Sequence, residues 1–252
     1  MKLCAIYSVY NGLELLDGSI KQIEKSVDTI IIGYQEYSHY GIFAPGVKEF
    51  MQRYEGRAKF KVVCFKPRFG EEPKASERRK MNQLITVAKN MGNTHFFMSA
   101  TDHYYETKQF VKAKEIAKNY DATASKMYTY FKNPSWRLTP IETYYMPFIC
   151  RLTRETMVRK GDFPVYVDPS VCVYPHDDFY EFGEDELMMH HFSFIRKDIK
   201  NKLVNAAARR NFKNDIPKII EDFDNFNGVG EVPYFKDNEC EIVDNIFNIP
   251  LF

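Results

Sequence analysis

Three consecutive segments at the start of the chain leave little choice of fold. Residues 3–9 form a short apolar run broken by Asn11-Gly12. A helical stripe of Ile20, Ile23 and Val27 follows, and Thr29-Ile30-Ile31-Ile32 is apolar without interruption up to Gly33. A run with no polar alternation belongs to a strand covered on both faces, and strand, helix, strand in that order implies a right-handed crossover within a parallel sheet. Ser19, with Gln22 three residues on, reads as a capping box that starts the helix, and Gly33 reads as the stop of the second strand.

The same succession continues. A loop rich in Tyr, Gly and Pro leads to a helix over 47–54 and a third strand over 60–65, placed by its β-branched and aromatic content because its alternation is imperfect. Ser76 is the expected cap of a helix whose inner face is Met81, Leu84, Ala88 and Met91; Gly92-Asn93 ends it, and 95–98 is a fourth strand. A helix over 106–119 buries Phe110, Ala113 and Ala117. Beyond residue 120 the pattern loosens. Residues 123–131 and 144–152 are strand-like, the turn between them carries Trp136, 165–174 suits a further strand pair, and 196–212 is a basic helix. The fold class expected is α/β, an open, mostly parallel Rossmann-like sheet flanked by helices. One domain is expected over 1–215, with halves at 1–120 and 121–215, followed by an acidic segment at 216–252.

Composition narrows the function. With 252 residues, 44% hydrophobic and 27% charged, the chain has enough apolar material for a core without a metal or disulfide. Five widely spaced cysteines without a CxxC pair read as small buried hydrophobes of a reducing compartment. No stretch approaches a membrane span, so a cytoplasmic protein is expected. The net charge of +1 hides a gradient: residues 221–245 hold 8 acidic residues against Lys236 alone, whereas 53–80 hold 10 basic and 4 acidic residues. A local basic excess of that size suits a phosphate-bearing small ligand rather than nucleic acid, which needs a broader basic face. The 17 Tyr and 21 Phe suit a cleft with half-apolar, half-hydrogen-bonding walls.

Ligands of open α/β sheets bind beyond the carboxyl ends of the strands. Tyr10 and Asn11 follow the first strand, Gln35 and Glu36 the second, and Ser99-Ala100-Thr101-Asp102-His103-Tyr104-Tyr105 the fourth. Asp102 either holds a divalent ion against a diphosphate or caps the following helix or turn. Arg78, Arg79 and Lys80 open a helix near the cleft mouth, as phosphate ligands or as a solvated face. His190 and His191, adjacent among apolar residues, must point to opposite sides, one toward a metal and the other structural; imidazole suits Mn2+ better than Mg2+. Upstream, Asp177, Asp178, Glu181, Glu184, Asp185 and Glu186 form an acidic cluster, from which Glu184 or Asp185 is the expected general base because they follow a glycine turn and approach the histidines. Trp136, with Tyr144 and Tyr145, suits stacking on sugar faces, or Trp136 plugs a turn. Glycine-rich nucleotide loops, GxSxG and HExxH are absent.

Ala5-Ile6-Tyr7-Ser8-Val9-Tyr10-Asn11, the strand at 28–33, Arg79-Lys80-Met81-Asn82, Ala100-Thr101-Asp102-His103-Tyr104 and His190-His191-Phe192-Ser193-Phe194-Ile195-Arg196 follow one another in the order of a known family. Over about residues 3–196 the chain resembles nucleotide-sugar glycosyltransferases of the GT-A fold, in the broad family-2-like group. The resemblance implies a nucleotide diphosphate sugar donor bound by the first half and a carbohydrate or other hydroxyl-bearing acceptor bound by the second. It implies Val9, Asn11 and Glu36 near the nucleoside and Arg79 and Asn82 near the donor. Asp102 matches the second carboxylate of the family's Asp-x-Asp metal motif, and His191 matches a late histidine completing the shell of Mn2+ or Mg2+. Inversion at the anomeric carbon is implied by the resemblance alone. Ala100 departs from the motif where its first Asp stands. Two alternatives remain open: a nucleotidyltransferase, whose glycine-rich loop after the first strand is missing, and a non-catalytic nucleotide- or sugar-binding domain, for which Ala100 speaks.

Overall fold

The computed structural model describes residues 1–207, 209, 215–235 and 237–252. Strand β1 (Leu3–Val9) and β2 (Thr29–Tyr34) are parallel neighbours linked by helix α1 (Leu13–Ile23), as the apolar runs require. Helix α2 (Val47–Met51), β3 (Phe60–Cys64), helix α3 (Pro73–Asn90) and β4 (His95–Ala100) follow, with β3 pairing parallel to β2 and β4 parallel to β1. The imperfect alternation of β3 has a plain cause, since it is the partly exposed edge of the sheet.

Period-two alternation sorts β1 between two cores. Leu3, Ala5, Tyr7 and Val9 face α1, α2 and helix α4 (Thr107–Ala117), among Leu16, Ile20, Met51 and Phe110. Cys4 and Ile6 face the other way, against Met81, Leu84 and Ile85 of α3. Each fully buried Leu or Ile of these stripes stabilises the fold by about 1.5–3 kcal/mol.

Three local expectations are corrected. Helix α1 begins at Leu13 behind Gly12, whose positive φ of 71° makes the turn; Ser19 lies inside the helix, where its hydroxyl donates to the His103 carbonyl (2.5 Å). Helix α3 begins at Pro73 and is capped by Glu72, whose carboxylate accepts from the Lys74 and Ala75 amides; Ser76 is buried within the first turns. Gly33 does not stop β2. It lies within the strand where Leu84 of α3 presses so closely that a Cβ would come 2.7 Å from its Cδ2, so the glycine is a packing notch.

Beyond β4 come β5 (His103–Tyr104), β6 (Ala122–Phe131), β7 (Trp136–Thr139), β8 (Tyr145–Arg151), and the pair β9 (Met157–Val158) and β10 (Val173–Tyr174), the part of the expected 165–174 pair that is strand. Then follow β11 (Phe179–Glu181), β12 (Met189–Phe194), helix α5 (Ile199–Asn205), helix α6 (Ile216–Asn225) and β13 (Glu239–Ile242). The eleven-stranded sheet runs β13-β7-β6-β8-β4-β1-β2-β3, with β11 and β12 on β6 and β5 on β12. It is the open α/β sheet expected, parallel over β4-β1-β2-β3 and mixed beyond, where β8 joins β4 and β6 antiparallel. The expected helix over 196–212 is α5 in its described part; residues 208 and 210–212 lie outside the described residues. Segment 216–252 supplies α6, which packs on α5 through Ile219 and Phe223, and β13, which hydrogen-bonds to β7. Among the described residues no helix is long and apolar enough to cross a membrane.

Candidate active site

A cavity of about 280 Å³ opens where β1 and β4 end, the place the topology favours for a ligand. Asn11 and Tyr10 line it from β1, Ala100, Thr101 and Asp102 from β4, Gln35 from β2, Lys80 from α3, and Arg196 and Lys202 from the segment after β12. The elements meet through one antiparallel pairing. β12 returns beside β5 with His191 opposite His103 and His190 opposite Tyr104, and the Phe192 amide donates to the Asp102 carbonyl (2.9 Å).

That register brings Asp102, His103 and His191 together. Their ligand atoms lie within 4.8 Å of one another; the Nε2 atoms of His103 and His191 stand 3.8 and 3.9 Å from the Asp102 carboxylate. Burial pushes both imidazoles down, His191 to about 3, so their lone pairs are free near neutrality. The Nδ1 atom of His103 is buried without a partner among the described residues. Burial alone would raise the Asp102 carboxyl, yet the guanidinium of Arg196, bonded to Oδ2, and the charges around it hold it well below the usual carboxylate range. One carboxylate and two neutral imidazoles form a donor set that fits a divalent ion tolerant of nitrogen, and Oδ1 is the carboxylate atom left to it by Arg196.

Arg196 is wedged in place. Its Nη1 donates to the Phe192 and Ile195 carbonyls (3.2 and 3.3 Å), and a Cβ on residue 12 would lie 3.1 Å from its Cζ, so Gly12 gives it room. His190, the other late histidine, points away from the site: its Nδ1 meets the Tyr130 hydroxyl (2.7 Å) and its ring stacks on Tyr130 and abuts Phe247. The cavity floor carries a second charged group. Lys80, 2% exposed, donates to Gln35 Oε1 (2.9 Å) and faces Glu77 (3.6 Å), which also meets His39 Nε2 (2.6 Å).

A second cavity of about 500 Å³ shares His103, Met146, Val171, Lys202 and Ala206 with the first. Tyr144, Tyr145, Thr129 and Glu142 line it, together with His191. Burial raises the Glu142 carboxyl, which accepts from the Thr129 hydroxyl. Lys202 stands between the cavities, its ammonium donating to the Ser193 hydroxyl; burial and the nearby Arg196 bring it down to about 8.

The residues singled out from sequence divide by place. Asp102, Asn11 and His191 come together at these cavities. Val9 is fully buried in the core beneath them. Glu36 lines a separate groove with Tyr37, Phe65 and Phe69. Arg79 forks onto Glu71 (2.6 and 3.1 Å) and lies over Phe65, while Asn82 brackets the backbone of Val158 (2.8 and 2.7 Å). Glu184 and Asp185 are exposed, line neither cavity, and Glu184 pairs with Lys126 (3.0 Å). Trp136 packs edge-on to Phe226 (5.7 Å) and over Gly228. Sequence reasoning passed over Lys202 and Glu142. Lys202 had a signal, a basic residue six positions after Arg196 in a segment read as a basic helix; Glu142 lies in a loop with no periodicity to mark it.

No family model matches the chain, and no curated protein sequence matches it. In backbone course the molecule is similar to solved structures. S. aureus TarS 1-349 in complex with UDP-GlcNAc overlays at 10% identity over 88% of this chain and 72% of that one, with a TM-score of 0.49. The same protein in complex with UDP overlays at 11% identity and a TM-score of 0.37, over 50% of this chain; there the chain spans 35% of its counterpart's length. Mannose-1-phosphate geranyltransferase from Thermus thermophilus overlays at 10% identity over 61% of this chain and 51% of that one, with a TM-score of 0.33. The likeness is one of fold.

Proposed function

We propose that the protein is a glycosyltransferase that moves a sugar from a nucleotide diphosphate sugar to an acceptor hydroxyl. The observation that carries this reading is the joining of two cavities at the strand ends. One is walled by Asp102, His103 and buried basic groups, the other by tyrosines and a carboxylate of raised pKa. The first suits a diphosphate, whose charge needs cationic neighbours in a partly dry site. The second suits a polyol, which takes hydrogen bonds and apolar contact from tyrosine.

Asp102, His103 and His191 would hold Mn2+ or Mg2+, Mn2+ being favoured by the two imidazoles. When bound, such an ion offsets charge developing on the leaving diphosphate. Arg196 fixes the orientation of the Asp102 carboxylate, and Asn11 borders the donor space. Glu142, rather than the solvent-facing Glu184 or Asp185, is placed to accept the acceptor's hydroxyl proton, since its raised pKa makes it a stronger base than an exposed carboxylate. The acceptor oxygen attacks the anomeric carbon, the bond from that carbon to the phosphate oxygen breaks, and the electron pair leaves with the nucleoside diphosphate.

Calorimetric titration of the full chain with a panel of nucleoside diphosphates and their sugars, with and without Mn2+, tests the donor. Release of nucleoside diphosphate in the presence of mono- and oligosaccharides tests transfer. Binding with release supports the enzyme; tight binding without release favours the non-catalytic binding domain, for which Ala100 speaks; no binding of any of them overturns both.

A further inference from the structure

The charges around the first cavity are matched in pairs, with one exception. Lys80 faces Glu77 and Arg196 is bonded to Asp102; in the second cavity Lys74 is paired with Asp168 (2.9 Å). Lys202 lines both cavities, yet among the described residues no carboxylate lies within ion-pair distance of it and its one hydrogen bond goes to the Ser193 hydroxyl. Asp102 and Glu142 attract it from beyond that distance, and holding an ammonium out of water without a carboxylate in contact is costly. Fold stability does not explain its position, because a lysine on a seven-residue helix can direct its flexible stem to solvent. The surrounding wall is also short of partners: Arg196 Nε and Asn205 Oδ1 are buried with none among the described residues. From the segment after β4, Asp102 alone brings a carboxylate to the first cavity among the described residues, and Arg196 already holds it.

We propose that Lys202 is the anion anchor of this site, binding the diphosphate of the ligand directly and supplying positive charge from the chain itself at the junction of the two cavities. The inference rests on the nucleotide-sugar reading and deepens it. Held at the junction of the cavities, the ammonium donates hydrogen bonds to a terminal phosphate oxygen. As the sugar leaves, the electron pair of the broken carbon–oxygen bond stays on that phosphate, whose added charge Lys202 offsets without transferring a proton. Anion binding then does not require a divalent ion.

The test uses the full chain in EDTA, with inorganic pyrophosphate and UDP as separate probes in calorimetry. Wild type binds pyrophosphate; Lys202→Met weakens it by about 30-fold, the worth of a charge-assisted bond, and Lys202→Arg restores it to within about 5-fold. Thermal melts check that each variant folds. Independently of any variant, pyrophosphate protects Lys202 of the wild type from reductive methylation read by mass spectrometry. Equal pyrophosphate affinity in wild type and Lys202→Met, no binding by wild type in EDTA, or no protection of Lys202 overturns the anchor. Pyrophosphate lost in Lys202→Met while wild type binds no nucleoside diphosphate supports the anchor and overturns the nucleotide-sugar reading instead.

Discussion

Replacing Glu77 by glutamine takes from Lys80 its carboxylate while leaving the ammonium 2% exposed beneath the first cavity. Burial opposes ionisation of Glu77, but Lys80 and His39 outweigh it and lower its pKa from 4.5 to about 2 in the folded protein. A fall of that size corresponds to about 3 kcal/mol of linked stability. The Glu77 side chain remains 29% exposed, and solvent screening reduces this to about 1.5–2 kcal/mol. Stranding Lys80, which keeps only its bond to Gln35, brings the expected loss for Glu77→Gln to about 2–3 kcal/mol at pH 7. Because the folded value is depressed, the linked part is complete above pH 4.5 and is lost as pH falls through about 2, so wild type and variant should converge on acidification. Urea unfolding at pH 7 and pH 3 reads both. Adding Lys80→Met should restore at least half of the loss, since no charge then remains buried. A variant within about 0.5 kcal/mol of wild type at pH 7, or a gap unchanged at pH 3, refutes the reasoning.

Asp102→Ala should abolish metal-dependent donor binding in calorimetry. It should also cost about 3 kcal/mol in urea unfolding because Arg196 is left buried and unpaired, whereas Asp102→Asn, which keeps an acceptor, should cost about half as much. Glu142→Gln should lower turnover by at least about 100-fold with donor affinity unchanged. The wild-type rate should rise with pH through a pKa above 4.5, a limb that vanishes in the variant. Thiol reagents at pH 7.5 should label exposed Cys64 first and leave Cys4 and Cys150, whose thiols burial pushes up to about 12, until the protein unfolds; mass spectrometry of labelled peptides gives the order.

The first half of the fold was legible because its information is local. The continuous apolar run of β2 and the stripe of α3 as far as Ala88 could bury their side chains only in one way, and the parallel pairing of β1 with β2 followed from the crossover; Met91, expected in the same stripe, is 36% exposed because the helix has ended at Asn90. Helix starts were less legible. Glu72 and Gly12 both begin helices without the Ser or Thr that the pattern singled out, one by a carboxylate and one by backbone conformation alone. Asp102 and His191 were visible as residue types in suggestive places. Their meeting depends on the pairing of β5 with β12 across nearly ninety positions, which no window of sequence contains. Arg196 illustrates the same limit: as text it ends an apolar strand, and only the folded chain shows it bonded to Asp102 and fitted against Gly12. The acidic segment at 216–252 was assigned no element because its apolar members, Ile219, Phe223 and Phe226, are spaced among charges; in α6 and the loop behind it they converge on one side.

The placement of α6 against α5 has a mechanical consequence. Lys202 rides on a helix of only two turns, too short to hold its own shape in water, and the apolar cluster that steadies it joins Phe131, Leu138 and Phe194 to Ile216, Ile219, Phe223 and Phe226 of the later segment. Loosening that distant buttress by trimming Phe223 or Phe226 would let the ammonium wander from the junction of the two cavities without touching any group that lines them. Residues 216–226 thus help to set where Lys202 sits, as a brace does a hinge.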